Sequence, residues 1–338
     1  DVPFSGDRGV DVPGAILSVL GMGGLVMGVL AWQEGGESVG ALLLIGGVAM
    51  GTLAWWLKKR ESEGEPVLLS PSLFAIRQFS SGIGQGILQQ LALGGLLIVL
   101  PIFLQMVLGY DAMQAGLSLA PLSLTMFVTA LVAGRQAGRR PASQLLLAGF
   151  VLLLVSMLIL IPLVPRVDSG WYLVVPLIIA GAGIGLLVSQ LNAFTLSPVS
   201  EERAGEAAGV NSATGSFGLS VGLAAAGAVM LAALSISFTN QADASKILTP
   251  PEQERVAQVL EDDAQVMSDA QLNELLEGQP RDVADEITAI NTDARNRSLQ
   301  IALLLPLLAA LTGLVMALRA RRLPEAPAGR ASGSADLI

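Results

Sequence analysis

Three glutamines, Gln85, Gln89 and Gln90, sit inside a stretch (82–107) that carries no charged residue. Side chains four apart share one helix face, so Gln85 and Gln89 project together, with Gln90 beside them. An uncharged amide in such a setting can bind a ligand in a cavity or tie one helix to the next. The second use is worth about 0.6 kcal/mol on average inside a membrane. Asn211, followed by Ser212, Thr214 and Ser216, lies in another uncharged stretch, and Ser189, Gln190 and Asn192 in a third. Gln85, Gln89, Gln90 and Asn211 are the candidates for lining a cavity.

Acid–base or metal chemistry needs ionisable groups converging on one pocket. The uncharged stretches hold no Asp, Glu, Lys, Arg or His, and the chain has no Cys and no His. Thiolate nucleophiles, disulfides and the usual zinc ligand sets are therefore excluded. Carboxylates occur only at the edges of these stretches: Asp111 at one end, and Glu206, with Glu201 and Glu202, at the other. They are the candidates for a proton-carrying site, against the plainer reading of solvated loop charges. The run AGRQAGRRP at 133–141 supplies a basic loop, with Arg135, Arg139 and Arg140. The run Gly181-Ala-Gly-Ile-Gly185 looks like a dinucleotide loop but lacks the strand–turn–helix context, and that reading is rejected. No enzyme, cofactor, metal or nucleic-acid partner is expected.

The elements that must position these residues are eight charge-free spans, at 13–31, 38–57, 82–107, 115–133, 142–164, 172–196, 207–235 and 299–318. A hydrocarbon core of about 30 Å is crossed by ~20 helical residues. With 52% hydrophobic and 14% charged residues and a mean hydropathy of +0.64, the chain has the composition of a membrane protein. In lipid the backbone must satisfy itself, so the spans are helices, and the fold class is an all-α polytopic membrane protein. Pro101 is expected to kink the third span. Glycines four apart (Gly24/Gly28, Gly47/Gly51, Gly181/Gly185 and Gly218/Gly222) are read as close-packing faces.

Lys and Arg in short loops set the orientation. With both termini in the cytoplasm, thirteen basic residues of the ends and short loops fall inside, from Arg8 and Lys58 to Arg330, and only Arg166 falls outside. Trp32, Tyr110, Trp171 and Tyr172 then mark the outer interface, and Trp55 and Trp56 the inner one.

The net charge of −9 is concentrated in 237–297, where 13 acidic residues face five basic ones. Three apolar stripes there (Val256 to Met267; Leu272, Leu275 and Leu276; Val283, Ile287 and Ile290) predict short amphipathic helices in an outer loop. Ser268 and Gln271 have the spacing of a capping box. The expected division is 1–60, two helices; 61–81, a cytoplasmic connector; 82–236, five helices; 237–297, the acidic loop; 298–322, the last helix; and 323–338, a disordered tail.

The run LPIFLQMVLGYDAMQAGLSLAP at 100–121 closely resembles the fourteen-helix drug:proton antiporters (EmrB/QacA-like) of the major facilitator superfamily. SPVSEERAGEAAGVNSATGSFGLSVG at 197–222 and a long outer loop before the last helix follow in the family's order. The resemblance covers essentially the whole chain. It implies that spans one and two are the two linking helices and that the last six form the C-terminal bundle. It further implies proton-coupled export of drugs or other small molecules by alternating access, in a bacterial cytoplasmic membrane. The N-terminal six-helix bundle, with the proton-coupling carboxylates and an arginine, would lie on a longer polypeptide. Where the family's inner loop reads Gly-Arg-Leu-Ala-Asp-Arg-Phe-Gly, this chain has Gly138 at the aspartate position, which implies weaker locking of that inner gate. An exporter of a lipid, siderophore or metabolite remains an alternative. So does a non-transporting scaffold whose 237–297 loop binds a periplasmic or extracellular partner.

Overall fold

The computed structural model describes residues 11–33, 38–65, 67, 69–136, 139–245, 247 and 280–321. Among these residues there is no strand, and eight helical stretches are long and apolar enough to cross a membrane. The chain is thus an all-α polytopic membrane protein.

Helices α1 (Val12–Gln33) and α2 (Val39–Glu63) pair antiparallel. They meet at Gly24 and Gly46, where a Cβ on Gly24 would stand 2.9 Å from the Gly46 backbone. Gly28 likewise faces Leu43. The expected Gly47/Gly51 face is corrected here: both glycines look away from every neighbour, and Gly46 makes the contact instead. Spacing identifies a glycine stripe, but only the partner's position says which stripe is used.

Asp11 closes the end of this pair where α1 starts and α2 finishes. Its carboxylate caps α1 by accepting from the Gly14 backbone N–H at 3.0 Å. The same oxygen accepts from Trp56 Nε1 at 3.1 Å and from the Arg60 guanidinium at 3.2 Å. Arg60 also lies 5.6 Å from the Trp56 ring centre and reaches Glu65 at 2.8 Å. Buried to 3% exposure, Asp11 has the charge and hydrogen-bond partners that a buried carboxylate requires.

The connector contains one helical turn, α3 (Ser72–Ala75). Leu73 from that turn is packed with Phe79, Ile83 and Ala207 in a small separate cluster. Helix α4 (Arg77–Ile102) passes through Pro101 into a π turn, Phe103–Val107. α5 (Ala112–Arg135) starts at Asp111, whose side chain accepts from Gln114 N at 2.7 Å while the Gln114 side chain reaches back to the Asp111 N–H. This reciprocal capping box satisfies two orphan donors of the helix start. Before it, Tyr110 OH accepts from Gly170 N at 3.0 Å and lies 3.5 Å from Ser169 Oγ, joining two loops. The Ser169 hydroxyl, then the Gly170 N–H, holds this phenol below the ordinary tyrosine value.

Helices α6 (Ala142–Leu163), α7 (Val174–Leu196) and α8 (Ala204–Ala244) follow. Gly218 and Gly222 of α8 bring it against the α4 backbone at Ile87 and Leu91, and Gly94 of α4 answers at Leu219 and Leu223. Gly181 and Gly185 of α7 do the same against α5 at Leu122 and Met126. Both spacings act as packing faces, since without a water-driven force helices in lipid associate through such close contact.

The ends of α8 and of the last span extend beyond their apolar stretches. α8 has 41 residues, about 60 Å of helix and twice a hydrocarbon core. Helix α9 (Arg281–Ala302) packs along it, burying Val283, Ile287 and Ile290. A break at Leu303 separates α9 from α10 (Leu304–Ala320). Pro306 causes it: the ring has no N–H to offer the Ala302 carbonyl and crowds it. The stripes at 256–276 and the Ser268/Gln271 box lie outside the described residues.

Candidate functional site

Gln78, Gly82, Gln85 and Gln89 follow the spacing i, i+4, i+7, i+11 along α4. The first two fix where this stripe points. The Gln78 amide donates to the Phe194 carbonyl at 2.8 Å and to Ser197 Oγ at 2.9 Å, and Gly82 lies against Thr195, all on α7 or its C-cap. The stripe therefore faces the interior of the bundle. Gln85 is fully buried and Gln89 is 4% exposed. Gln85 Nε2 donates to Ser81 Oγ at 3.1 Å, while its Oε1 has no partner. Such an orphan acceptor costs about 1–3 kcal/mol. Gln89 donates to Gln90 Oε1 at 3.1 Å.

Gln90 belongs to a different stripe: Gly86, Gln90, Leu93, Leu97, Pro101 and Gln105, again at helical spacing. All of these are half-buried or exposed. This is the open face of α4, and Gln105 on it reaches back only to the Pro101 carbonyl at 3.3 Å. The three candidate glutamines thus divide between the bundle interior and an open face.

Asn211 is placed elsewhere, near the start of α8. Its Nδ2 donates to Asn192 Oδ1 of α7 at 3.0 Å, so the pair bridges two helices. Gln190 makes a comparable tie from α7 to the Ala133 carbonyl of α5, at 3.3 Å.

The edge carboxylates have defined structural partners. Asp111 caps α5. Glu206 accepts from the Ser70 backbone N–H of the connector and pairs with Arg203 at 3.3 Å. Arg135, Arg139 and Arg140 are exposed around the α5–α6 turn. Gly138 lies outside the described residues.

One charged side chain escaped the sequence reading. Arg295 lies before the last charge-free span, yet α9 carries it into the bundle, 7% exposed. Its guanidinium donates to the Met106 carbonyl at 3.3 Å. That carbonyl is one of the last four of the helix, which ends at Val107, so it has no donor from the helix itself; Tyr110 N, just beyond, bonds Leu104 O at 3.0 Å. A small cavity of about 60 Å³ borders the pair. The apolar spacing of Val283, Ile287 and Ile290, continued four and then five residues on to Ala294 and Leu299, was the signal that could have found it.

Eight long apolar helical stretches, joined by close glycine contacts and buried amide ties, define a multi-pass helical membrane protein. Comparison with known families gives the particular class: the Major Facilitator Superfamily model matches residues 14–223. The chain belongs to the major facilitator superfamily, a family of membrane transporters rather than enzymes. Among its curated relatives, the "Multidrug resistance protein Stp" of Mycobacterium tuberculosis is 29% identical over 233 residues, 68% of this chain and 42% of the relative. The "Probable actinorhodin transporter" of Streptomyces coelicolor is 27% identical over 188 residues, 55% of this chain and 32% of the relative. The "Uncharacterized transporter YebQ" of Escherichia coli is 30% identical over 214 residues, 63% of this chain and 46% of the relative. The chain spans less than half the length of each of these relatives.

Proposed function

We propose that this chain supplies the two linking helices and the C-terminal bundle of a proton-driven exporter of drugs or other small molecules. The observation that carries the reading is the open face of α4, with Gln90 and Gln105 among apolar residues, on a chain whose relatives include a protein named for multidrug resistance. In such transporters the substrate lies near the midplane between two bundles that rock against each other. α4 presents one wall of that space, and a second six-helix bundle presents the other.

Gln90 then contacts substrate, and the Asn211–Asn192 pair lines the inner part of the path. Gln85 and Gln89 lie one layer deeper, and the unpartnered Gln85 Oε1 becomes an acceptor for a substrate or water when the bundle opens. Arg135, Arg139 and Arg140 form the cytoplasmic gate. Asp111 and Glu206 are occupied as a cap and a connector staple, which favours a proton carrier on the other bundle. Both termini face the cytoplasm.

The test uses the polypeptide that carries both bundles, expressed in bacteria lacking their own efflux pumps. Cells loaded with ethidium should lose it faster with the protein than without, a protonophore should abolish the difference, and Gln90→Ala should slow it. Equal loss with and without the protein sinks the export reading; loss indifferent to the protonophore sinks the proton coupling.

A further inference from the structure

A second cavity, of about 410 Å³, opens between α1, α8 and α9, away from the open face of α4. Its α8 wall follows one helical stripe. Val229, Ala232 and Ile236 form the deep part, and Ser237, Asn240 and Gln241 the part toward the end of the helix. Opposite, on α9, Ile301 lies deep and Arg297 one turn nearer the same membrane surface. Trp32, at the end of α1, completes the rim.

The wall is thus graded along the membrane normal, apolar inside and polar at the surface. From Val229 to Gln241 is twelve residues, about 18 Å at ~1.5 Å per residue. One leaflet of a bilayer is about as deep, at half of ~40–45 Å with its headgroups. Trp32 stands where interfacial tryptophans stand, at headgroup level. No carboxylate among the described residues pairs with Arg297, although the surrounding 237–297 segment is strongly acidic. The cavity therefore has the length of one leaflet, an apolar floor and a single positive charge at headgroup depth.

We propose that this cavity is a site for an anionic phospholipid. The headgroup phosphate binds Arg297 with help from Asn240 and Gln241, and an acyl chain lies along Val229, Ala232, Ile236 and Ile301. Because α1 is one wall, the lipid fills the joint between the first helical pair and the bundle. The site requires only that these helices span a bilayer, so it stands apart from the export reading; in the proposed orientation its leaflet is the outer one.

Native mass spectrometry of the purified chain, incubated with phosphatidylglycerol or phosphatidylcholine, tests the proposal. One phosphatidylglycerol should be retained about five-fold more than phosphatidylcholine, the worth of one basic residue at an anionic headgroup. Arg297→Gln should remove that preference while leaving the chain folded, since Arg297 is exposed. Ala232→Phe should reduce retention of both lipids by filling the floor. Equal retention of the two lipids by the unaltered chain overturns the proposal, as does a preference that survives Arg297→Gln. Binding of ethidium in place of either lipid would assign the cavity to substrate entry and overturn it as well.

Discussion

Arg295 and Gln85 are both buried polar groups, and the structure gives them opposite energetic signs. Arg295 answers the Met106 carbonyl, one of the four at a helix end that have no donor from the helix itself. We predict that Arg295→Met destabilises the fold by about 1 kcal/mol, the worth of a hydrogen bond to a part-buried carbonyl, with Arg295→Lys intermediate. Thermal unfolding in detergent measures this, and an unchanged midpoint for the Met variant would refute it. Gln85 carries its own orphan, Oε1, beside a single bond to Ser81. Replacing it with the similarly shaped Met removes both, so Gln85→Met should leave stability unchanged or raise it by up to about 1 kcal/mol. If export nevertheless falls in the two-bundle transporter, the orphan acceptor serves the substrate. A clear loss of stability would show instead that the amide is structural.

At the scale of helices, close approach separates glycines that look alike in sequence. A Cβ on Gly222 would lie 2.8 Å from Leu91 Cα, backbone that cannot swing away, whereas Gly47 has nothing within 4 Å. Gly222→Ala should therefore destabilise by roughly 1–3 kcal/mol through overpacking. Gly47→Ala should stabilise by up to about 1 kcal/mol through helix propensity. Equal effects at the two sites would dismiss the close-packing account. The same contrast marks what the sequence could show. Span positions were legible because uninterrupted apolar length has one meaning in lipid. The neighbour of each stripe is not legible, so Gly47 stands out in the sequence where Gly46 makes the contact, and Gln85 and Gln89 look like one wall with Gln90. The real extents of α8 and α9 were hidden for another reason. A charge ends an apolar span, but it does not end a helix that continues past the membrane surface, and so the charge pattern alone puts Arg295 in a loop.

For the whole molecule, the orientation carries the consequences for function, and the chain suits a direct test because it contains no Cys. Single cysteines at Gly109 and Arg139 lie at opposite ends of α5, both exposed. In intact cells an impermeant maleimide should label Gly109→Cys and spare Arg139→Cys until the membrane is opened. The reverse pattern would invert the orientation, and with it the assignment of the basic loop to a cytoplasmic gate and of the lipid cavity to the outer leaflet. Family membership was visible in the 100–121 run. The distribution of polar groups between interior, open face and lipid joint needed the packed helices.

The Asp11 knot bears on how the protein is made. It links residues within the first sixty or so of this chain, binding the start of α1 to the end of α2 through Trp56 and Arg60. Every partner in that closure has been synthesised before α4 begins. The contacts lie within one helical pair and need no later part of the chain, and folding during synthesis proceeds from the N-terminal side. The first helical pair can therefore close in the membrane on its own and be waiting, as a finished surface, when α8 arrives to pack against it.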